Sequence, residues 1–399
     1  MFLIFMGSGL KRIRSIRNVT VDNSTRPIAL FIPALNGGGA QRVIVNLANG
    51  LVDLSERPVH LVLVRAEGEF LDDLRPEVDI RSLDKKRTLA AIPALANYLR
   101  SERPAVLMAR MSYVNIAGSI AWMMAGRPCR LVLSEATVVR APEGSRFQRI
   151  RQALVLKTMR AIYPRSDCVV ANSEATAQSM AVHGMVSDYP TLVIANPVLG
   201  SEADRSNDFS SPFGGFRSDR KLICAIGRLA ELKGFDCLLE AFSKLDSQEA
   251  DLVILGEGPL RGKLQEQARE LGIGERVHFP GFVIDPMHVL EHSSLFVLSS
   301  RWEGFGNVLV EALATGVPVV STDCPGAPRA LLRDGALGHL VPVDEPDALA
   351  EAITEALHSP RGTREARQER ARDFAAPAIA RQYLEEAFGL EVSPSRPRS

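Results

Sequence analysis

The sequence predicts an α/β protein in which two doubly wound, parallel-sheet domains follow one another. Three observations predict this class. The chain has 399 residues, and domains usually hold roughly 100–200 residues, so two domains are expected. Short apolar runs alternate with amphipathic helical stretches, the pattern of buried parallel strands and their crossover helices. This alternation breaks off once, near the middle of the chain, and then restarts.

The first domain is expected to span residues 26–198. It opens with a strand, PIALFIPAL, followed by a loop, NGGG, a helix, AQRVIVNLANGLVDLS, and a second strand, VHLVLV. Further strands are predicted at AVLMA, RLVLSE, CVVANS and TLVIAN. Residues 1–25 are expected to form a disordered extension, with a weak membrane-surface anchor as the alternative. Its apolar part is too short to span a bilayer.

The second domain is expected to span residues 219–374, after a polar linker at 199–218. Its predicted strands are KLICAIGRL, DLVILG, RVHFPG, LFVLSS and VPVVST, with helices between them. Residues 375–390 are predicted to form a helix that crosses back to the first domain, and residues 391–399 a tail. Ligands of such sheets bind beyond the carboxyl ends of the strands, so a site is expected in the cleft between the domains.

Composition and charge narrow the range of possible functions. The formal net charge is zero, which gives no electrostatic support for nucleic-acid binding. The five cysteines are scattered and form no C-x-x-C pair, which indicates a reducing cytosol rather than a disulfide framework. No D-x-D carboxylate pair is present. His288 and His292 lie four residues apart but have no evident third ligand, so no metal is expected.

One glycine-rich stretch, RWEGFGNVLVEALATGVPVV, places Glu303 in a loop and Glu311 in the helix that follows. This helix is predicted to begin near Asn307, a good cap residue, and free N–H groups at a helix start bind anions. Gly304 and Gly306 would let the backbone approach a ligand closely. A carboxylate on each side of an anion site suits a sugar nucleotide, in which two polyols flank a diphosphate. Taken alone, the position of each glutamate fits a solvated surface charge as well as it fits a ligand-binding carboxylate.

A second stretch, AIGRLAELKGFDCLLEAF, places Arg228 and Lys233 between a buried strand and a helix. A guanidinium fork and an ammonium point charge suit a diphosphate. Cations are also common on protein surfaces, so this stretch alone does not decide between a binding site and a solvated loop.

Together these blocks resemble glycosyltransferase family 4 (GT4), a family of retaining enzymes. EGFGNVLVEALATGVPVV resembles the family's E-x7-E signature, and GRL with KG resembles its diphosphate motif. NGGGAQR resembles its N-terminal glycine loop, and DCPGAPRALLRDGALGHLVPVDEPDALAEAI the segment after the signature. The resemblance covers about residues 30–385. NGGGAQRVIVNLANGL and DCPGAPRALL resemble capsule- and exopolysaccharide-type members. The family resemblance implies the GT-B fold: two Rossmann-like domains facing a cleft, with the donor held mainly by the second.

The resemblance also implies roles for the matching residues. The predicted catalytic residues are Glu303, which would bind donor-sugar hydroxyls, and Arg228 and Lys233, which would neutralise the leaving diphosphate. The predicted donor-binding residues are Phe305, Gly306, Asn307, Val308, Glu311, Phe282, Val283, Gly38 and Gly39. Among these, the helix start would meet sugar and phosphate, Glu311 the ribose, and PGFV the base. The two glycines of the N-terminal loop would approach the donor phosphate or the acceptor.

The first domain departs from the family pattern at one point. Many members have a histidine near the reacting carbon, whereas this domain offers only His60, in a predicted strand, and His183, in a predicted loop. Ser112, Tyr113 and Glu135 are the candidates for acceptor contact or base work, and a purely structural charge is the alternative for Glu135. The family resemblance implies that no protein nucleophile is needed, so leaving-group stabilisation is the main electrostatic task.

The stretch SRFQRIRQALVLKTMRAIYPR mixes basic and apolar positions. A basic amphipathic helix can lie on an anionic membrane surface, and an ordinary core-packing helix is the alternative. The surface hypothesis fits an enzyme that meets a lipid-linked acceptor.

The resemblance therefore implies a retaining enzyme that moves a hexosyl or N-acetylhexosaminyl group from a UDP-linked sugar. The expected acceptor is a glycan or lipid-linked glycan, in capsule, exopolysaccharide or lipopolysaccharide assembly. The expected location is cytoplasmic, with peripheral contact to the inner face of the cell membrane. No nucleic acid, metal or other cofactor is expected. The alternatives are a GT-B sugar-nucleotide epimerase, a glycogen-synthase-like enzyme, and a non-catalytic nucleotide-sugar-binding subunit.

Overall fold

The structure, a computed structural model, describes residues 25–141, 145–186, 191–200, 220–246, 250–283 and 285–392. Most of the expected N-terminal extension, most of the linker and residues 393–399 of the tail lie outside these ranges. No helix among the described residues is long and apolar enough to cross a membrane.

The first domain contains seven strands and five α-helices within the described ranges. In chain order these are β1 (Ile28–Ile32), α1 (Gly39–Leu54), β2 (Val59–Leu63), β3 (Val78–Ser82), α2 (Ile92–Glu102), β4 (Val106–Arg110), α3 (Ser112–Met124), β5 (Arg130–Glu135), α4 (Arg146–Ile162), β6 (Cys168–Ala171), α5 (Glu174–Val182) and β7 (Thr191–Val193). All pairings are parallel, in the order β3-β2-β1-β4-β5-β6-β7.

The second domain repeats this plan with a six-stranded parallel sheet. Its elements are β8 (Lys221–Ile226), α6 (Phe235–Ser243), β9 (Ala250–Leu255), α7 (Arg261–Glu270), β10 (Val277–Gly281), α8 (Met287–Glu291), β11 (Leu295–Leu298), α9 (Asn307–Thr315), β12 (Val319–Thr322), α10 (Pro328–Leu331), β13 (His339–Val341), α11 (Pro346–His358) and α12 (Arg364–Arg372). The strand order is β10-β9-β8-β11-β12-β13. The predicted class, two doubly wound parallel sheets, is confirmed.

Two edge strands, β3 and β13, were not among the predicted elements. β3 keeps only Val78 fully buried and carries polar side chains at most other positions. β13 has only three residues, which is too short to show a period. Both strands are set by pairing with a neighbouring strand, β2 and β12 respectively, rather than by a local apolar run.

Apolar side chains on both faces of each sheet form the cores. β1 is buried at every position because helices cover both of its faces. The C-terminal helix α13 (Ala376–Gln382) and the π-helical turn at Tyr383–Phe388 pack into the core of the first domain. A Cβ at Gly50 of α1 would lie 3.0 Å from the Ala376 carbonyl oxygen, so this glycine permits the close helix contact.

The chain passes between the domains twice, and the two passages lie side by side. Val198 and Leu199 donate their backbone N–H groups to the Phe374 carbonyl oxygen, at 3.0 and 3.2 Å. Ala376 in turn donates to the Leu199 carbonyl oxygen at 2.8 Å. This paired crossing ties residues 198–199 to residues 374–376 at one end of the cleft.

Candidate active site

The candidate residues cluster at the carboxyl ends of the strands where each sheet reverses its order. The reversal lies between β1 and β4 in the first sheet and between β8 and β11 in the second. The glycine loop follows β1, and the turn into α3 follows β4. Arg228 follows β8, and Glu303 follows β11. Doubly wound sheets bind ligands at such switch points, so one cleft collects residues that are far apart in sequence.

Glu303 is held on one side and open on the other. It is 8% exposed, and its backbone N–H donates to the Pro325 carbonyl oxygen at 2.9 Å. Its Oε1 accepts hydrogen bonds from Lys233 Nζ at 2.6 Å and from Ser300 Oγ at 2.7 Å. No described residue donates a hydrogen bond to its Oε2. The carboxylate is therefore fixed in orientation while one oxygen retains its acceptor capacity.

The two predicted diphosphate cations differ in their surroundings. Lys233 ends a 3-10 turn after β8, and its aliphatic stem lies 3.0 Å from where a Cβ of Gly227 would be. Its ammonium group pairs with Glu303, so two of the predicted catalytic residues contact each other directly. Arg228 is exposed, and its guanidinium makes no ion pair with the described residues. It is thus the cation that remains open to an anionic ligand.

The start of α9 is uncapped by any side chain. The N-cap residue is Gly306, at φ +89°, and not Asn307, which is already the first helical residue. The expectation that Asn307 caps the helix was therefore wrong, because only glycine adopts this left-handed backbone without strain. The N–H groups of Asn307 and Val308 have no acceptor among the described residues, whereas that of Leu309 donates to the Gly306 carbonyl oxygen at 2.9 Å. The first two are therefore available to an anion. Val308 is half-buried in this turn.

The ring of Phe305 is buried, and its surroundings differ from those of its backbone. Its ring is buried and packs edge-on against Phe374, with the ring centroids 5.4 Å apart. The ring is therefore occupied by this contact, and only the backbone of Phe305 is left for a ligand.

Gly304 makes a close contact with the first domain. A Cβ at Gly304 would lie 2.1 Å from the Ala136 carbonyl oxygen, well inside van der Waals contact. Ser173 Oγ donates to the Gly304 carbonyl oxygen at 2.8 Å. The Arg140 guanidinium lies 3.9 Å from the ring centroid of Trp302, on the same loop. The first domain therefore contacts the Glu303 loop directly. The sequence did not predict this contact of Gly304.

Glu311 lies one turn further along α9 and is half-buried. No described residue donates a hydrogen bond to its carboxylate. Desolvation by burial raises the pKa of Glu311 to about 7, the positive charge of Arg42 opposes the rise, and the negative charge of Asp285 adds to it. Arg42 lies on α1, so the first domain reaches this carboxylate electrostatically. An unbonded carboxylate of this kind suits two ribose hydroxyls.

The N-terminal glycine loop meets the second domain at two points. Asn307 Nδ2 donates to the Gly39 carbonyl oxygen at 3.1 Å. A Cβ at Gly37 would lie 2.7 Å from the ring of Phe282, which is itself half-exposed. Gly38 is the N-cap of α1 and has no side chain to cap it. Val283 packs against the core of the second domain next to this ring.

The three acceptor-side candidates do not form one exposed group. Glu135 is completely buried and accepts hydrogen bonds from Asn115 Nδ2 at 2.9 Å, from Ser112 Oγ at 3.1 Å and from the Tyr163 hydroxyl. Burial raises the pKa of Glu135, and the hydrogen bonds from Tyr163 and the other donors oppose the rise. Tyr113, by contrast, is half-exposed at the start of α3. Ser112 and Glu135 thus belong to an interior cluster, and Tyr113 alone faces outward.

The two histidines of the first domain lie as predicted in a strand and outside the regular elements. His60 is buried in β2 with Nδ1 2.8 Å from the Tyr98 hydroxyl oxygen, and His183 follows α5. Among the described residues, no group of three or more His, Cys, Asp or Glu side chains could hold a metal ion.

Sequence reasoning did not single out several contributors to the site. They are Ser173 and Asn196, which form hydrogen bonds to residues far away in sequence, and Ser300, which donates to Glu303 three residues further on. Short polar side chains carry no periodic signal, so only the folded arrangement identifies them.

Comparison with known proteins identifies the class. The chain matches the Glycosyltransferase Family 4 profile over residues 37–198 and the Glycosyl transferases group 1 profile over residues 206–374. Together these matches span both domains. The chain belongs to glycosyltransferase family 4, and it is a glycosyltransferase.

Individual relatives are similar over nearly their whole length. The N-acetylgalactosamine-N,N'-diacetylbacillosaminyl-diphospho-undecaprenol 4-alpha-N-acetylgalactosaminyltransferase of Campylobacter jejuni is 28% identical over 91% of this chain and 99% of its own length. The lipopolysaccharide core biosynthesis glycosyltransferase LpsE of Rhizobium meliloti is 29% identical over 90% of this chain and 97% of its own.

Solved structures confirm the predicted GT-B fold. HepE of Anabaena, determined with UDP and glucose, aligns with a TM-score of 0.73 and 20% identity, over 92% of this chain and 100% of HepE. Sucrose-phosphate synthase of Thermosynechococcus elongatus aligns with a TM-score of 0.73 and 20% identity, over 90% of this chain and 97% of the synthase.

Proposed function

We propose that this glycosyltransferase moves a sugar from a UDP-linked donor to a lipid-linked glycan, with retention of configuration. The main support for this proposal is the carboxylate of Glu303, in which only one oxygen accepts hydrogen bonds from the described residues. Lys233 and Ser300 hold its Oε1, and no described residue donates to its Oε2, beside the uncapped start of α9. A free carboxylate oxygen suits a sugar hydroxyl, and an open helix start suits the diphosphate that the same donor carries.

The residues around this carboxylate supply leaving-group stabilisation. During transfer the bond between the sugar C1 and the diphosphate oxygen breaks, and its electron pair stays on the diphosphate. The acceptor hydroxyl oxygen bonds to C1, and its proton passes to the departing diphosphate. Lys233, Arg228 and the N–H groups of α9 would stabilise the developing negative charge. We therefore expect transfer without a protein nucleophile and without an added metal, so activity should persist in EDTA.

A uridine donor is supported by the relatives. HepE was determined with UDP and with UDP-glucose, and this chain shares its fold. The test is calorimetry with UDP and GDP on the wild type, Glu311→Gln and Glu270→Gln. Glu270 is an exposed residue on α7 and is the matched control. We expect UDP to bind the wild type and the control about equally, and Glu311→Gln about tenfold more weakly, as the loss of charge-assisted bonds implies. Preference for GDP would overturn the uridine assignment.

Product analysis tests the reaction itself. With a UDP-sugar and a lipid-linked acceptor, we expect free UDP and an extended acceptor whose new linkage has the donor's anomeric configuration. NMR of the product reads that configuration. An epimerised sugar nucleotide without transfer would favour the epimerase alternative, and an inverted linkage would overturn retention.

A surface on α4 supports a lipid-linked acceptor. Phe147, Ile150 and Leu154, which we call the α4 stripe, are 77%, 59% and 63% exposed. The helix contains no acidic residue. Its basic residues are Arg146, Arg149, Arg151, Lys157 and Arg160. Only Met159 and Ile162 are fully buried, so the core-packing alternative holds for the last turns alone. Exposed apolar side chains among cations suit an anionic lipid surface.

The position of α4 connects this surface to the site. The helix follows the loop that leaves the carboxyl end of β5, the same end of the sheet that faces the cleft. By its name, the Campylobacter relative acts on a diphospho-undecaprenol-linked glycan. A membrane-borne acceptor of that kind would meet the protein beside the cleft, at the inner face of the cell membrane.

Vesicle sedimentation tests this membrane contact. We expect the wild type to sediment with phosphatidylglycerol vesicles and not with pure phosphatidylcholine vesicles. Phe147→Ser/Leu154→Ser should lose most of this binding. Leu89→Ser/Val182→Ser removes two comparably exposed apolar side chains elsewhere and should retain it. Equal loss in both double variants would show that general hydrophobicity, and not α4, is responsible.

A further inference from the structure

A chain of four hydrogen-bonded groups runs from the interior of the first domain to the start of α9. Arg110 Nη2 donates to Asn196 Oδ1 at 2.7 Å. Asn196 Nδ2 donates to Asn307 Oδ1 at 2.7 Å, and Asn307 Nδ2 donates to the Gly39 carbonyl oxygen at 3.1 Å. We call these residues the amide relay. It begins and ends in the first domain and passes through the second domain at Asn307.

The direction of every bond in the amide relay is fixed by its two ends. A guanidinium can only donate, so the oxygen of Asn196 must face Arg110 and its amide group must face Asn307. Asn307 must then accept with its oxygen, which leaves its own amide group for the Gly39 carbonyl, a pure acceptor. Neither amide can flip without placing two donors or two acceptors against each other. The relay is therefore satisfied in one arrangement only.

Arg110 anchors the first end. It is 1% exposed and ends β4, and its Nη1 donates to Ser134 Oγ at 2.9 Å. The phenol of Tyr383, from the C-terminal crossing segment, lies beside the same guanidinium. Met111, the next residue, adopts φ +82°, a backbone that non-glycine residues adopt only when their surroundings impose it. Because Nη1 and Nη2 both donate within the protein, the buried guanidinium of Arg110 is held in one orientation.

We propose that Asn196 is a positioning residue that couples closure of the two domains to the helix start that binds the donor diphosphate. Asn196 touches no ligand in this scheme and acts through Asn307. When the cleft opens, the bonds from Asn307 to Asn196 and to Gly39 must both break, and the α9 start loses its fixed place against the glycine loop. The predicted effect on UDP binding rests on the proposed donor site, whereas the predicted effect on closure of the two domains does not.

Asn46 provides a matched control. It is a buried asparagine in α1, and its Nδ2 donates to the carbonyl oxygens of Pro197 and Val198 at 2.9 and 2.8 Å. It therefore steadies the same chain segment as Asn196 without reaching the second domain. A variant that only loosens this segment should behave like Asn46→Ala.

The experiment is a double-variant cycle of Asn196→Ala and Asn307→Ala, with Asn46→Ala alongside. Amide hydrogen exchange at residues 37–42 and 303–309 is measured without ligand and with saturating UDP. UDP affinity is measured by calorimetry. We expect each relay variant to raise ligand-free exchange and to weaken UDP binding about tenfold, the scale of one cross-cleft hydrogen bond. The double variant should be no weaker than the worse single one. Saturating UDP should restore protection, because excess ligand repopulates the closed form.

Two results would overturn the proposal. One is that Asn46→Ala changes exchange and UDP affinity as much as Asn196→Ala does. The other is that the two relay variants weaken binding additively, which would make them independent. If wild type fails to bind UDP, the donor assignment fails, and the ligand-free exchange of the same variants still decides whether the relay holds the cleft closed.

Discussion

Glu135 and Glu303 are buried carboxylates near the carboxyl ends of strands, one in each domain. They differ in how many of their oxygens accept hydrogen bonds from the protein. Glu135 is 0% exposed and Glu303 8%. Both oxygens of Glu135 accept hydrogen bonds from protein groups. Only Oε1 of Glu303 does so among the described residues. Burial alone therefore does not separate a binding carboxylate from a structural one, whereas free acceptor capacity does.

The groups that contact Glu303 and Glu135 also differ in charge. Glu303 pairs with the ammonium group of Lys233 through Oε1, which leaves Oε2 to accept a hydrogen bond from a ligand hydroxyl. Glu135 is held by three neutral donors, and burial raises its pKa. The first arrangement suits a ligand that exchanges at every turnover. The second suits a fixed structural contact, because breaking it would leave the hydroxyls of Ser112 and Tyr163 without their acceptor.

The largest expected effect contrasts the two carboxylates directly. Glu303→Gln should lower kcat by about 10²–10³-fold, the scale found when one preorganised electrostatic group at a reacting centre is lost. Glu135→Gln keeps an acceptor oxygen in the interior cluster and should leave kcat within about threefold. Steady-state UDP release in the presence of acceptor measures both. A comparable kcat loss in Glu135→Gln would mean that Glu135 takes part in the chemistry after all.

The next effect tests the grip of the first domain on the Glu303 loop. Gly304→Ala places a methyl group 2.1 Å from the Ala136 carbonyl oxygen, so the domains must separate or the loop must shift. A displacement of about 1 Å costs roughly 100-fold in kcat/KM. Gly262→Ala is the control, because a Cβ there meets nothing within 4 Å. Wild-type kcat/KM in Gly304→Ala would show that this contact is not needed for catalysis.

A stability experiment tests the structural side of the comparison. Glu135→Ala leaves the hydroxyls of Ser112 and Tyr163 without their acceptor, whereas the amide of Asn115 keeps the Ser134 carbonyl oxygen at 3.0 Å. We expect the free energy of unfolding to fall by roughly 3 kcal/mol, and Glu135→Gln to lose much less. Urea denaturation followed by circular dichroism gives both values. A loss below about 0.5 kcal/mol in Glu135→Ala would contradict the structural role.

The smallest expected effect is a pH dependence set by Glu311. Its pKa of about 7 lies above the ordinary value of 4.5, so the free protein holds a proton there below pH 7. The stabilisation from that proton is present at low pH and is lost as the pH rises through about 7. Ribose hydroxyls donate to the ionised form, so UDP affinity should rise from pH 6 and level off above about 7.

The phosphate groups of UDP also titrate, so the pH series needs a control. Glu311→Gln experiences the same ligand titration without the carboxylate. The difference between the two affinity profiles, measured by calorimetry, should show the rise that belongs to Glu311. Parallel profiles would mean that Glu311 does not bind the ligand in its ionised form.

The fold class was predictable because its signal is local. Buried strands such as β1 and β8 are continuous apolar runs, and the helices between them are amphipathic. The edge strands β3 and β13 were not predictable, since their pairing partners define them. The site residues in the loop before α9 stood out through their glycines and their resemblance to a known signature.

The roles inside the site were less predictable, because they depend on contacts between distant segments. The glycine pattern predicts that Gly304 lets a ligand approach, but it does not reveal the close contact with the Ala136 carbonyl oxygen. Asn307 was read as a helix cap, whereas its side chain joins the amide relay. The relation of Lys233 to Glu303 spans 70 positions, and nothing in either local pattern reveals it.

The most direct test of the central claim is a crystal structure of the protein with an intact UDP-sugar. We expect a donor-sugar hydroxyl within about 3 Å of Glu303 Oε2, the diphosphate at the start of α9, and an unchanged, ligand-free Glu135 cluster. A donor whose sugar contacts Glu135, or whose diphosphate lies away from α9 while Glu303 Oε2 has no ligand contact, would contradict it.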